Sequence, residues 1–239
     1  MLSKIDLVLG CAIIAVIITG TFGSFQPVIG SDTLYQTSTY SDLEKGVFDG
    51  NLTIGELERY GSTGLGTFNS LDGEMIILDG VVYQIKSNGT VWKVPDNLKT
   101  PFAFTTSFKT DQVFLINKSM NLTLFEEYMG PSLTSRNVLC MMVVIGDFSY
   151  LKLRSPPSQS KPYPNLTEAL KNQSVWEFKN QTGVMVGLWC PERYEGTNFP
   201  GFHFHFISKD LKRGGHVLDY RLQRGLVKMD YTPHFARIQ

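Results

Sequence analysis

The stretch Gly201-Phe-His203-Phe-His205-Phe206 constrains this chain more than any other. Strict alternation of aromatic and imidazole side chains is the period of a β-strand, so His203 and His205 share one face while Phe202, Phe204 and Phe206 enter the opposite layer. After a polar turn ending in Gly214-Gly215, His216 opens a second apolar stretch that runs to Leu222 and can fold back beside the first. These three residues leave only His234 of the 4 histidines, and its place beyond the core motifs makes it a surface residue. Three neutral imidazoles with one open position are the ligand set of a catalytic zinc, whereas structural zinc sites usually close with four protein ligands. The plain alternative is a strand that carries histidines on its wet face.

With 239 residues, 42% hydrophobic and 18% charged, the chain is long and apolar enough to bury real cores, which excludes disorder. Lysine plus arginine equals aspartate plus glutamate at 22 each, so no net basic field recommends nucleic acid or an anionic membrane as a partner. Function must come from a local site. Residues 1–23 have the form of a signal peptide: Lys4, an apolar run from Leu7 to Thr19, and Thr21-Phe-Gly23 as a cleavage site. The run is short for a permanent span, so a secreted product without stable membrane insertion is expected, a retained signal anchor being the alternative. Cys11 lies inside the run, which argues against lipid attachment. Seven asparagines begin Asn-X-Ser/Thr, namely Asn51, Asn88, Asn117, Asn121, Asn165, Asn172 and Asn180, which predicts a glycoprotein. Cys140 and Cys190 could pair in an oxidising compartment.

The pattern predicts an α+β chain of mixed and antiparallel β-sheet with few short helices. Short helices are expected after Ser41 and Thr53, the latter with Glu56 as a capping box, and over residues 165–172. Strands are expected at 66–68, 74–78, 81–85, 90–93, 102–107, 138–145, 149–154 and 183–190, with hairpin turns at Asp79-Gly80 and Asn88-Gly89. Two domains are expected: 24–130, carrying a hairpin with Glu74, and 131–239, carrying Arg154 and the three histidines.

The run Leu34-Tyr-Gln-Thr-Ser-Thr39, then Gly64-Leu-Gly-Thr-Phe-Asn69, Leu71-Asp-Gly-Glu-Met-Ile-Ile-Leu-Asp-Gly80 and Tyr83-Gln84, closely resembles the α-acetolactate decarboxylase family. So do Lys152-Leu-Arg-Ser155, Lys161-Pro-Tyr-Pro164, Gly201 to Ser208, and Arg213-Gly-Gly-His-Val-Leu-Asp219. The resemblance implies a zinc enzyme, usually homodimeric, that converts 2-acetolactate, a small 2-hydroxy-3-oxo acid, to acetoin and carbon dioxide. Position by position it implies His203, His205 and His216 as zinc ligands, Glu74 as a catalytic carboxyl and Arg154 as the cation at the substrate. Thr67 is a candidate for the pocket wall.

Those residue types suit the chemistry. A Lewis acid can hold the charge that develops when a β-keto acid loses carbon dioxide. An arginine can grip a carboxylate through two parallel hydrogen bonds, and a carboxyl can carry a proton. Each also has an ordinary reading, Arg154 as a solvated strand charge and Glu74 as an acidic hairpin end. The chain departs from the family twice: no glutamate follows Glu195, where members carry one in a returning tail, and Val143 stands for a usual arginine. The missing tail glutamate predicts slower, less face-selective protonation, with a catalytically weak or inactive glycoprotein of the same fold as the alternative, while the lost arginine could alter dimer contacts or the pocket. A cupin-type oxygenase or isomerase, suggested by His203-X-His205 followed by Asp210, is the weaker third reading.

Overall fold

A computed structural model describes residues 32–134 and 136–238, so the expected signal peptide lies outside the described residues. Two sheets face one another. The first has seven strands: β1 (Thr33–Thr37), β3 (Thr63–Thr67), β4 (Glu74–Leu78), β5 (Val81–Ile85), β6 (Val91–Lys93), β8 (Ala103–Thr106) and β15 (His234–Ile238). Their order is β15-β1-β8-β3-β4-β5-β6, antiparallel except where β15 lies parallel to β1. A two-stranded ribbon joins β2 (Leu52–Thr53) to β7 (Lys99–Thr100).

The second sheet holds β9 (Gln112–Ile116), β10 (Met120–Asn121), β11 (Leu139–Ser155), β12 (Ser174–Cys190), β13 (Gly201–Ser208) and β14 (Gly214–Thr232). Its order is β10-β14-β11-β12-β13, and β13 also pairs back onto β14 through His205–His216, Phe206–Gly215 and Ile207–Gly214. That return closes one end of the sheet into a small barrel and puts His205 directly opposite His216. The described residues also form four α-helices, α1 (Tyr40–Glu44), α2 (Ile54–Leu57), α3 (Leu122–Thr134) and α4 (Leu166–Leu170), and two single-turn 3-10 helices, Asn69–Leu71 and Glu192–Tyr194. The expected α+β class is the class observed, and none of the described helices is long and apolar enough to cross a membrane.

Alternation along the strands builds three cores. On β13, Phe204 and Phe206 enter a core with Phe148, Tyr220 and Met229, which α3 covers with Phe125, Met129 and Leu133. The other face of that sheet, through Leu139, Met141, Val186, Leu188 and Ile207, meets Leu34, Leu65, Ile76, Ile85 and Phe104 of the first sheet. The histidines lie on this shared face. The outer side of the first sheet packs Met75, Ile77 and Val82 under Ile54 and Leu57 of α2.

Several expectations need correction. The chain does not divide at 130/131: β9, β10 and α3 belong with the second sheet, because β9 and β10 pair with β14, while β15 returns to the first. The strands expected at 138–145 and 149–154 are one bent strand, β11, with register shifts from Asp147 to Tyr150, where Gly146 faces Gly225. Helix α1 starts two residues earlier than expected, capped by Thr39, whose side chain accepts from the Asp42 N–H. The Thr53–Glu56 capping box is present. Cys140 and Cys190 are both free and buried, and they cannot pair: Cys140 enters the α3 core while Cys190 faces the first sheet. Burial raises both thiol pKa values, that of Cys190 to about 12.

Two glycines let β14 reach its place. A Cβ on Gly214 would sit 2.8 Å from the Ile85 side chain, and one on Gly215, at φ +144°, would sit 2.6 Å from the Arg154 carbonyl oxygen. Gly215→Ala should therefore strain the strand just before His216, costing about 1–3 kcal/mol; a thermal melt unchanged from wild type would contradict this. A second expectation concerns Asp230, whose carboxyl burial pushes up to about 7, against the Lys109 backbone N–H that its Oδ2 accepts. A carboxyl raised above its unfolded value of about 3.9 stabilises the fold at low pH and loses that contribution as pH rises towards 7. Asp230→Asn should gain on wild type in denaturant melts above neutral pH, with the gap closing near pH 4.

Candidate metal centre

The three imidazoles converge. His203 Nε2 lies 3.2 Å from His205 Nε2 and 3.1 Å from His216 Nδ1, and the third edge is 3.3 Å. Strand alternation aims His203 and His205, and the cross-strand register places His216 opposite His205 and beside Arg154 of β11. The ring orientation has a cause. His205 Nδ1 lies 2.8 Å from the Met75 carbonyl oxygen, an acceptor, so Nδ1 carries the proton and Nε2 presents a lone pair to the cluster.

The arrangement suits a cation. Ligand nitrogens about 2.0–2.1 Å from a tetrahedral zinc stand about 3.3 Å apart, close to the three edges found here. Three lone pairs held together without a cation or a full set of protons repel one another, and burial opposes protonation. The His203 pKa falls to about 3 through burial and the neighbouring Arg154. Those of His205 and His216 fall well below the ordinary value, again through burial first, then His203 for His205 and Arg154 for His216. All three rings are thus neutral and able to ligate.

Glu74 and Arg154 stand beside the cluster. Glu74, at the start of β4, places Oε2 3.3 Å from His205 Nε2 and Oε1 3.3 Å from Arg154 Nη1. Burial raises its pKa to about 7, and Arg154 opposes the rise. Thr67 pairs with Glu74 across β3 and β4, and its hydroxyl donates to the Gly73 carbonyl at 2.7 Å, which fixes the turn that delivers Glu74. All of these residues line a cavity of about 380 Å³ with apolar walls that include Leu71, Phe102, Leu166, Leu170 and Phe202. Every candidate site residue taken from the sequence lies at this cavity.

Two further polar residues, Tyr40 and Gln173, line the cavity without being marked in the sequence. Burial raises the Tyr40 pKa, which keeps its phenol protonated as a donor. Gln173 follows α4, and its Oε1 is buried with no hydrogen-bond partner. Neither stands in a pattern that marks it, since each reaches the cavity only through tertiary packing. Val143, by contrast, lines a separate crevice with Asp79, Ile145 and Lys228 and does not reach the cavity.

A cavity this small, with a guanidinium, a carboxyl and three imidazoles that could hold a metal ion among apolar walls, is the kind of site at which an enzyme acts on a small acid. The family follows from comparison. Residues 34–237 match the family model described as Alpha-acetolactate decarboxylase, and the chain belongs to that family, whose members are carboxy-lyases. The alpha-acetolactate decarboxylase of Methanosarcina mazei is 45% identical over 86% of this chain and 71% of its own length. That of Methylococcus capsulatus is 39% identical over 88% and 82%. The crystal structure of alpha-acetolactate decarboxylase from Bacillus subtilis strain 168 superposes with a TM-score of 0.84 at 35% identity, covering 86% of this chain and 88% of that one.

A buried acceptor left without a donor costs about 1–3 kcal/mol. Gln173→Leu should therefore raise the melting temperature of the ligand-free protein; a fall would show that the amide is satisfied in solution.

Proposed function

We propose that this protein decarboxylates 2-acetolactate to acetoin and carbon dioxide, using a zinc ion held by His203, His205 and His216. The observation that carries this reading is the triangle of ring nitrogens at 3.1–3.3 Å with the His205 tautomer held by Met75. Bound there, the metal would supply a Lewis acid for the charge that develops on the substrate oxygens.

The chain's own residues do the rest. Arg154 receives the substrate carboxylate and orients it for departure, a task for a planar fork of donors. The walls of Leu71, Phe102 and Phe202 exclude water, which strengthens every charge interaction within. Glu74, held between Arg154 and His205, carries the proton that the enediolate must receive at carbon, and delivery from one side sets the hand of acetoin. Thr67 keeps that carboxyl in place through the Gly73 carbonyl. Export through the signal peptide and assembly as a homodimer complete the proposal, supported by the leader pattern and the family resemblance.

The deciding experiment incubates purified protein with acetolactate and measures acetoin and carbon dioxide alongside the zinc content. About one zinc per chain and stoichiometric release of both products are expected. His205→Ala should lose the metal, and full zinc occupancy in that variant would refute the ligand set. Arg154→Lys should keep zinc while turnover falls, because lysine retains charge but loses the fork. Glu74→Gln should keep zinc and lose roughly a hundred- to ten-thousand-fold in rate, the usual worth of a positioned proton carrier. Wild-type rates from either variant would assign that residue a structural role alone.

A further inference from the structure

Of the 11 asparagines of this chain, seven begin Asn-X-Ser/Thr, and among the other four Asn97 and Asn137 make no Nδ2 hydrogen bond to a described residue. Asn69, outside any such triplet, donates from Nδ2 to the Gly50 carbonyl at 3.0 Å, and Asn198 donates to Gln36 Oε1 at 2.7 Å. Both are structural. Six of the triplet asparagines are exposed and Asn121 is half-buried, and none of the seven donates through Nδ2 to another described residue. Three of the seven face the protein through the oxygen alone: Oδ1 of Asn88 accepts from Thr90 N, that of Asn121 from Leu124 N, and that of Asn165 from Glu168 N.

We infer that Asn165 and Asn172 are N-glycosylation sites that bracket α4, part of the roof of the metal-centre cavity. The inference rests on the export proposed above, which would carry the chain past the transferase. Oligosaccharide transfer forms a bond from Nδ2 to the sugar's anomeric carbon as the bond from that carbon to a lipid diphosphate breaks. The lipid diphosphate leaves with the electron pair, and the displaced amide proton passes to a base. Oδ1 takes no part, so Asn165 keeps its cap on Glu168 after modification, and the start of α4 survives.

The position matters for the roof. Helix α4 has five residues, too few to hold helical form alone, and it is fixed by the Asn165 cap and by burial of Ala169. Leu166, Leu170 and Gln173 reach from this segment into the cavity wall. Asn165 and Asn172, at its two ends, point to solvent, so each sugar would stand outside the cavity while restricting the unfolded forms of the segment that closes it.

The test expresses the full chain in a secreting eukaryotic cell, once with its own leader and once with residues 1–23 replaced by an established secretion leader. Enzymatic release of N-glycans in heavy-oxygen water converts each modified asparagine to a labelled aspartate, and peptide mass spectrometry maps the label. Label at both Asn165 and Asn172 in the leader-replaced protein is expected, and its absence from either one overturns the inference. Label in that protein but not in the one with its own leader would refute export while leaving the sites established. Thr167→Ala removes the triplet and spares the Asn165 cap; it should lose one glycan by gel mobility with no change in fold, and an unchanged glycan count would also overturn the inference.

Discussion

The hydrogen bond from His205 Nδ1 to the Met75 carbonyl is the interaction on which the rest of the site depends. It crosses from the second sheet to the first between residues 130 positions apart in sequence, inside a packed and almost wholly buried interface. Because it decides which ring nitrogen keeps its proton, it turns a core contact into a chemical statement about His205. The same bond ties β13 to β4, the strand that begins with Glu74, so metal ligand and carboxyl are positioned by one piece of backbone. Neither sheet alone contains the site.

A cluster this polar between two apolar faces sets demands on the fold. Arg154 and Glu74 are nearly buried, and each would be costly without the other, since removing one partner of a buried pair leaves an uncompensated charge. Their mutual distance of 3.3 Å and the proximity of His205 show how the demand is met: the polar groups share one another. Around them the sheets supply large aliphatic and aromatic side chains. Low local polarity keeps the imidazoles neutral and raises the affinity of the Glu74 carboxyl for a proton, so the packing that stabilises the fold also tunes its reactive groups.

The parts of the structure legible in the sequence were those carried by short-range pattern. The alternation of Phe and His from 202 to 206 placed two rings on one face, and the hairpins at Asp79-Gly80 and Asn88-Gly89 announced themselves through residues that accept positive φ. Helix α3 was not read, although Leu122, Phe125, Met129 and Leu133 have helical spacing, because Gly130-Pro131 in its last turns looks like a stop. The full length of β14 was hidden in the same way by Gly225, beyond which Val227, Met229 and Tyr231 resume the alternation. Tyr40 and Gln173 had no local signal at all. Glu74 and Arg154 were named through resemblance, and only tertiary structure shows that they touch.

The parallel pairing of β1 with β15 joins residues 33–37 to 234–238. A ribosome or a translocation channel delivers the chain in order, so the strand that leads the first sheet must wait, with one edge open, until nearly everything else has emerged. An open edge is a template for unwanted pairing, and long-range closures of this kind fold slowly. During that interval β1 can rely only on β8, and the shared face on which the histidines lie is finished around a sheet still lacking its last member. Synthesis therefore leaves this protein exposed to mispairing for longer than its finished architecture would suggest, and demand for chaperones should fall at the moment β15 docks.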